Sequence, residues 1–360
     1  MARKKSMQRT RRYTKVQPAV YTMTFATPAE LGPTQIGNYT IDLSQCASLM
    51  NRRFYRQGIN WAVDSIKIIS STNSVITCLK LPNTWVMSNS WEKAFRSWQR
   101  MNKEATEESE SVRPRFLDFK IYADSNHHQD GFVGNLLPYN EGGFYLAGEW
   151  ESSKIHVPIG IGAAAATAEY EFVATGASYP GVSAQTTLDA VSLIEGYAAS
   201  RALPDVVDPN TPSYASDSTG ADPENWMGAL FSEGTTQDSD VLEDMITENN
   251  QSPYPYENAI DVSPTLPDGS PNPNFGLAIT DTQYPNGANQ ASGLEIHDIE
   301  TITATTVGGI TKIKGGNFPC GLIRMTMQNL SDEDDVGYLI QVNLVPGSHR
   351  GYLCEPMTDM

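Results

Sequence analysis

The segment YTIDLS, residues 39–44, alternates apolar and polar side chains. Because successive side chains of a strand point to opposite faces, this period of two predicts a half-buried β-strand. The same pattern recurs in eight further segments: 59–69, 75–81, 116–122, 155–157, 170–173, 302–304, 323–327 and 338–344. They are separated by Gly, Pro, Asn and Asp and not by a regular series of helices, which favours an antiparallel sandwich or barrel over a βαβ fold.

Two segments have the period of a helix instead. Residues 89–101 place five apolar side chains on one helical face, and Asn89 with Glu92 predicts a capping box at its start. Residues 188–203 predict a second helix, with Thr187 as its cap. We interpret the tryptophan-bearing face of the first helix as core rather than as a ligand platform.

Length and composition fit a globular protein. The chain has 360 residues and is 39% hydrophobic, enough for one large all-β domain or two smaller ones. It has neither a run of about 18 apolar residues nor an apolar secretory segment at its N-terminus, so we expect no membrane span and a start in the cytosol. The four cysteines are isolated in sequence, and we interpret them as buried thiols rather than as a disulfide or a metal site: Cys46, Cys78, Cys320 and Cys354.

The first fifteen residues, MARKKSMQRTRRYTK, carry seven cations and no acid. The other 18 Lys and Arg face all 42 Asp and Glu, so residues 16–360 have a formal charge of −24. This block of like charge predicts a disordered basic arm, residues 1–20, that binds a polyanion without reading its sequence. A nuclear localisation signal is the alternative role for the same charges. The candidate nucleic-acid-binding residues are Arg3, Lys4, Lys5, Arg9, Arg11, Arg12 and Lys15.

A second compositional anomaly covers residues 202–311, which contain no Lys or Arg, 18 Asp and Glu, and 11 of the chain's 22 prolines. Such a segment cannot be a continuous core. It predicts acidic, Pro-rich surface loops or a projection at 204–292, with one helix near 238–248, inserted into a domain that spans 21–360. The segment is either a solubilising surface or an outward projection that keeps polyanions from one side of the molecule.

Motifs for chemistry are scarce. The sequence lacks the G-x-x-x-x-G-K-[ST], H-E-x-x-H and G-x-S-x-G patterns, and PIGIGAAAATA at 158–168 only loosely resembles a dinucleotide loop. His127 and His128 could ligate a metal, but a polar loop is the preferred interpretation. The acidic run 332–335 could hold Ca²⁺ at a subunit interface, with a solvated turn as the alternative. We therefore assign no catalytic residue, no cofactor and no metal site, and expect a protein that is not an enzyme.

Four segments resemble capsid proteins of environmental circular Rep-encoding single-stranded DNA (CRESS-DNA) viruses: LPNTWVMSNSWEKAFRSWQRMN (81–102), RFLDFKIYADS (115–125), LAGEWESSKIHVP (146–158) and IQVNLVPGSHRGYLCEPM (340–357). The likeness runs from about residue 36 onward and is weakest in 205–290. It implies a single jelly-roll antiparallel β-sandwich of eight main strands with inserted helices and long loops, assembled into an icosahedral shell whose basic arms face the genome. Jelly-roll coats of small RNA viruses share this layout, so the fold leaves the choice between DNA and RNA open.

We therefore expect a viral capsid protein that binds copies of itself and packages genomic nucleic acid, with single-stranded DNA as the expected cargo. Many weak arms facing one cavity would bind the genome collectively. The expected location is the virion, and the host nucleus during assembly; no receptor is identified and no membrane partner is expected. Three alternatives stay open. They are an RNA-virus coat, a jelly-roll carbohydrate-binding or hydrolytic module with a targeting tail, which needs a polar and aromatic cleft, and a monomeric nucleic-acid chaperone.

Overall fold

The computed structural model describes residues 18–109, 111, 118–159, 166–178, 181–199, 226–230, 293–303 and 309–360. Strands dominate these ranges. In chain order they are β1 Thr22–Ala26, β2 Ile36–Asp42, β3 Ile59–Ile69, β4 Ser74–Lys80, β5 Tyr139–Asn140, β6 Gly143–Phe144, β7 Ile155–Ile159, β8 Ala166–Val173, β9 Ala190–Ser192, β10 Glu295–Ile302, β11 Ile310–Phe318, β12 Leu322–Asn329, β13 Leu339–Leu344, β14 Pro346–Gly347, β15 Gly351–Tyr352 and β16 Cys354–Pro356.

The described ranges also contain five α-helices, which are α1 Leu43–Asn51, α2 Trp85–Ala105, α3 Ser125–Asp130, α4 Leu193–Ala199 and α5 Trp226–Ala229. None of the helices in these ranges is long and apolar enough to cross a membrane. Three short 3-10 turns lie at Phe132–Gly134, Pro319–Gly321 and Met357–Asp359.

Two antiparallel sheets form a sandwich. One has the order β1-β13-β3-β11, with β16 also paired to β3, and the other has the order β10-β4-β12-β2. Apolar side chains of both sheets share one buried cluster, in which Phe25, Trp61 and Ile340 come from the first sheet and Ile41 and Met325 from the second. The prediction of an all-β antiparallel sandwich is therefore confirmed.

The pairing of these strands is nested. β1 pairs with β13, β2 with β12, β3 with β11 and β4 with β10, as in one long hairpin. Two further pairs, β13 with β3 and β12 with β4, join neighbouring parts of this hairpin side by side. The chain thus folds its long hairpin over on itself, which places the first and last strands of the sandwich next to each other.

The nested pairing defines a large insertion. Lys80 at the end of β4 is the register partner of Glu295 at the start of β10, and their side chains lie 3.7 Å apart. All residues from 81 to 294 therefore lie between two paired strands. The predicted acidic segment 204–292 belongs to this insertion but, apart from 226–230, lies outside the described residues, as does the predicted helix at 238–248.

The insertion builds a second core beside the sandwich. Strands β7, β8 and β9 form a separate sheet, in which β8 and β9 run parallel. Buried aromatic side chains from helix α2, from this sheet and from α5 pack in one cluster, with Trp91, Phe172 and Trp226 at its centre. Met357 near the C-terminus joins the same cluster, so the end of the chain ties the insertion to the sandwich.

Several predicted strands need correction. The strand at 59–69 is confirmed. The strand predicted at 39–44 ends at Asp42, because the Asp42 carboxylate accepts from Ser44 N (2.9 Å) and Gln45 N (3.2 Å) and thereby caps the start of α1. The segments 155–157 and 170–173 are strands of the insertion rather than of the sandwich. In 116–122 only Tyr122 bridges a strand, and 116–117 lie outside the described residues.

Both predicted helices also start elsewhere. Helix α2 begins at Trp85 because Thr84 caps it, accepting from Met87 N at 3.4 Å, so Asn89 lies inside the helix. The second helix starts later than predicted, and residues 200–203 lie outside the described residues. Residues 190–192 form β9, and α4 follows, with Ser192 Oγ accepting from Glu195 N at 3.3 Å.

The four cysteines are free thiols, three of them buried and Cys354 partly buried. Burial raises the pKa of Cys78 and of Cys354 to about 12, so both are protonated at neutral pH. The prediction of buried thiols is confirmed for Cys46, Cys78 and Cys320.

Candidate nucleic-acid interface

The seven predicted arm cations, Arg3 to Lys15, lie outside the described residues, but the structure fixes the point at which the arm joins the sandwich. Val20 N donates to Asn51 Oδ1 (3.0 Å), and the Tyr352 hydroxyl donates to Val20 O (2.6 Å). Asn51 Nδ2 also donates to the Tyr352 hydroxyl at 2.7 Å. We call these three residues the arm root. It lies beside β1, an edge strand of its sheet.

Four exposed arginines lie within five residues of Asn51 or Tyr352 in the chain: Arg52, Arg53, Arg56 and Arg350. We call them the basic cluster. The first two follow Asn51 directly at the C-terminus of α1, where the helix dipole favours cations. Arg350 donates to Phe54 O, and the Tyr55 hydroxyl donates to Arg350 O at 3.1 Å, so two segments distant in sequence are joined.

This cluster was not predicted from the sequence. The run RRFYR at 52–56 carries three arginines around two aromatic residues, and this pattern could have indicated a nucleic-acid-binding surface. The fourth arginine comes from residue 350, and only the fold brings it to the same place. A basic surface next to the predicted basic arm extends the charge of the arm onto a body that is otherwise strongly acidic.

A cavity of about 500 Å³ opens beside the basic cluster. Its aromatic wall contains Trp91 and Phe95, whose rings stack with centroids 5.0 Å apart and an angle of 20°, and Phe119, whose ring lies edge-on to Trp91 at 6.0 Å. Gly58 makes room for the indole, because a Cβ there would lie 2.2 Å from Trp91 Cζ2. Any larger residue at position 58 would displace the wall.

The rim of the cavity is polar. Arg56, His349 and Arg350 line it together with Asp118. Burial and the charge of Arg350 lower the pKa of His349, which favours its neutral form. Burial raises the pKa of Asp118, although the nearby ammonium of Lys120, 3.2 Å from Oδ2, opposes that shift.

Two polar atoms of this lining lack hydrogen bonds within the described part of the chain. Trp91 is 5% exposed and its Nε1 has no acceptor. Asp118 Oδ2 is close enough to Lys120 for an ion pair, but the geometry does not make a hydrogen bond. Buried polar groups in proteins are normally paired, so an unpaired donor and an acceptor with spare capacity in one cavity need an explanation.

The predicted polar loop at His127 and His128 is wrong, because both side chains are fully buried in α3. His127 Nδ1 accepts from Ala123 N at 3.0 Å, so its Nε2 carries the proton toward Asn135 Oδ1 at 2.9 Å. Burial lowers the pKa of His127 to about 3, and the charge of Arg324 adds to this effect. His127 is therefore neutral and its nitrogens are engaged in fixing the fold.

His128 instead pairs with a carboxylate of β8. Its Nε2 lies 2.8 Å from Glu171 Oε2, and both side chains are buried. Burial raises the pKa of Glu171, but the hydrogen bonds from His128, Ser152 and Thr186 outweigh that effect and lower it. These contacts join α3 to the small sheet of the insertion, which is a structural role.

Metal binding finds no support among the described residues, where no group of three or more His, Cys, Asp or Glu could hold an ion. The acidic run Asp332, Glu333, Asp334 and Asp335 is exposed and lies before β13, with a bend at its first two residues. Residues Gly160, Gly162 and Ala163 of the glycine-rich segment lie outside the described residues.

Comparison of the chain with protein-family models, with curated proteins and with solved structures gave no match.

Proposed function

We propose that this chain is the coat subunit of a virus, folded as a single jelly roll, that assembles into a closed shell and packages nucleic acid through its basic arm. The observation that carries the proposal is the junction of the predicted +7 arm with the exposed basic cluster at Asn51 and Tyr352. One surface of an otherwise acidic protein thereby carries positive charge that attracts a polyanion.

The strand order supports the jelly-roll assignment. When only the eight long sandwich strands are numbered along the chain, the sheets read 1-8-3-6 and 5-4-7-2. This is the order that results when one long hairpin wraps into two four-stranded sheets, which is the eight-stranded jelly roll. Fold alone does not imply function, so the charge arrangement and the surface have to carry the functional part of the proposal.

Exposed apolar side chains support self-association. The end strands β10 and β11 pack against each other at one side of the sandwich and leave three isoleucines half exposed or more: Ile296 (58%), Ile299 (53%) and Ile310 (50%). A second exposed group lies at the end of the β5–β6 hairpin, where Phe144 of β6 and the nearby Leu146 are 49% and 87% exposed. Clusters of this kind on a soluble surface mark contacts with other proteins, and a shell requires such contacts between copies.

Replacing Ile299 with Asp is expected to weaken association between subunits at least about tenfold, because it removes apolar burial and places a charge at the contact. The matched control is Val133→Asp, which introduces the same charge at an exposed apolar side chain (73%) outside both groups. Sedimentation velocity at several protein concentrations measures the difference. Equal assembly of the Ile299→Asp variant and the wild type would remove this edge from the subunit interface.

The carbohydrate-binding module remains the second candidate, since the cavity is the polar and aromatic cleft that such a protein needs. Two features disfavour it. Arginine charges at the rim are not needed for a neutral sugar, and Asp118 is the one carboxylate among the described lining residues, whereas glycoside hydrolysis normally uses a pair. Electron microscopy of the purified full chain separates the candidates, because closed particles support a coat.

A further inference from the structure

We propose that the cavity beside the basic cluster binds one nucleotide of the packaged strand, with the base among the aromatic rings and the phosphate at Arg56 and Arg350. This inference rests on the proposed function, which supplies the nucleic acid. It adds a defined binding site on the folded body to the arm, which holds phosphates without a fixed geometry.

The position of the cavity favours this ligand. His349 and Arg350 line it, and Tyr352, two residues further, holds the arm root through Val20 O. The Tyr55 ring lies 5.5 Å from that of Tyr352 and 6.4 Å from that of His349, so the arm root and the cavity lining are neighbours. A strand held near the arm root is therefore presented to this site at a high effective concentration.

The aromatic wall suits a planar ligand. Trp91 and Phe95 are nearly parallel, and Phe119 closes the wall edge-on. Every base has a π-face, and stacking on an aromatic side chain contributes to the binding of single strands with little dependence on sequence. The volume of about 500 Å³ also lies within the range of small-ligand sites.

The rim suits an anion. Arg56 and Arg350 both line the cavity and are exposed, and a guanidinium binds a phosphate through two parallel hydrogen bonds. These charges sit on residues 16–360, whose formal charge is −24, so an anionic ligand is attracted to this surface and repelled by acidic ones.

The unpaired atoms suit the edge of a base. Trp91 Nε1 is a buried donor without an acceptor among the described residues, and Asp118 Oδ2, which is ion-paired with Lys120 at 3.2 Å, is a buried oxygen with capacity for a further donor. The polar edges of the natural nucleobases carry both hydrogen-bond acceptors and hydrogen-bond donors. A bound base would offer an acceptor to Trp91 Nε1 and a donor to Asp118 Oδ2, which an apolar ligand cannot do.

Titration of the full-length protein, stripped of nucleic acid at high salt, with each deoxyribonucleoside 5′-monophosphate tests this site. Calorimetry is expected to detect binding, and Arg56→Gln to weaken it about tenfold. Arg96→Gln is the matched control, since Arg96 is an exposed α2 arginine outside the cavity lining. Trp91→Phe, which keeps a ring but loses the N–H donor, is expected to weaken binding as well.

Competition identifies the part of the ligand that is recognised. Neither inorganic phosphate nor a neutral disaccharide should displace the nucleotide at equal concentration. If phosphate displaces the nucleotide, the cavity is an anion site only. If the disaccharide binds tightly and Arg56→Gln does not weaken that binding, the cavity is a sugar site. The inference is also overturned if no nucleotide binds at all. Particles that form and package normally while the cavity binds no nucleotide would refute this site alone; nucleotide binding without particles would refute the coat and leave the site standing.

Discussion

Deletion of residues 2–15 is expected to abolish most nucleic-acid packaging and to leave the sandwich folded. The deletion removes all seven arm cations but keeps Val20 and its hydrogen bonds at the arm root. If each cation neutralises one phosphate of a single strand, the logarithm of the binding constant falls with the logarithm of salt at a slope of about −5. Raising salt from roughly 50 to 200 mM would then weaken binding by one arm by about 10³.

The measurement is the ratio of absorbance at 260 and 280 nm of purified particles, together with the salt dependence of oligonucleotide binding. The matched control replaces Arg3, Arg9, Arg11 and Arg12 with Lys, which keeps the charge and removes the guanidinium geometry. This variant is expected to package like the wild type, because the attraction is a matter of charge. A truncated protein that packages a normal amount would show that the arm is not the packaging element.

The Asp42→Ala variant is expected to lose about 3–5 kcal/mol of unfolding free energy. The carboxylate is fully buried and accepts four hydrogen bonds: from Ser44 N (2.9 Å), Gln45 N (3.2 Å), Gln57 Nε2 (3.1 Å) and Trp150 Nε1 (3.0 Å). Alanine would leave all four donors without this acceptor. The substitution also removes hydrogen bonds that connect the sandwich to the insertion. Trp150 belongs to the insertion, and Gln57, which donates to Asp42, also donates to Ile121 O of the insertion.

Denaturant unfolding at neutral pH measures this effect, and Asp42→Asn is the control that keeps the shape and one acceptor oxygen. Burial raises the pKa of Asp42 to about 6 in spite of its hydrogen bonds. The folded-state pKa is above the unfolded value, so the folded protein binds the proton more tightly. The contribution of Asp42 to stability therefore falls as the pH rises from about 4 to about 6. The stability of the wild type relative to Asp42→Asn should therefore decrease across that window. A difference that rises with pH would mean that the ionised carboxylate is the favoured form in the fold.

The sequence predicts those parts of the fold that depend on local pattern. Strand β3 is recovered with both of its ends because apolar residues recur at every second position on both sides of the polar pair Asp64 and Ser65, first at Ile59, Trp61 and Val63 and then at Ile66 and Ile68. Strand β11 was missed because the glycines of ITKIKGGNF interrupt the pattern. A Cβ at Gly315 would lie 2.1 Å from Asp64 O, so the close approach of β3 requires glycine at this position. Glycine in a sequence normally indicates a turn, which hides the strand.

Contacts between distant residues could not be predicted from local pattern. Lys80 and Glu295 are register partners across the whole insertion, and nothing in either neighbourhood indicates it. The basic cluster likewise needs Arg350 to meet residues 52–56, and the cavity needs α2 to meet the C-terminal segment. The arm is predicted from the sequence because its charge is local, whereas the basic cluster depends on the fold.

Electron microscopy of the purified full-length protein, with sedimentation velocity on the same sample, tests the central claim most directly. A coat subunit with a basic arm is expected to form closed particles of uniform size, whose nucleic acid is protected from added nuclease. A discrete monomer at high protein concentration, with no particles in the images, would contradict the proposed coat function.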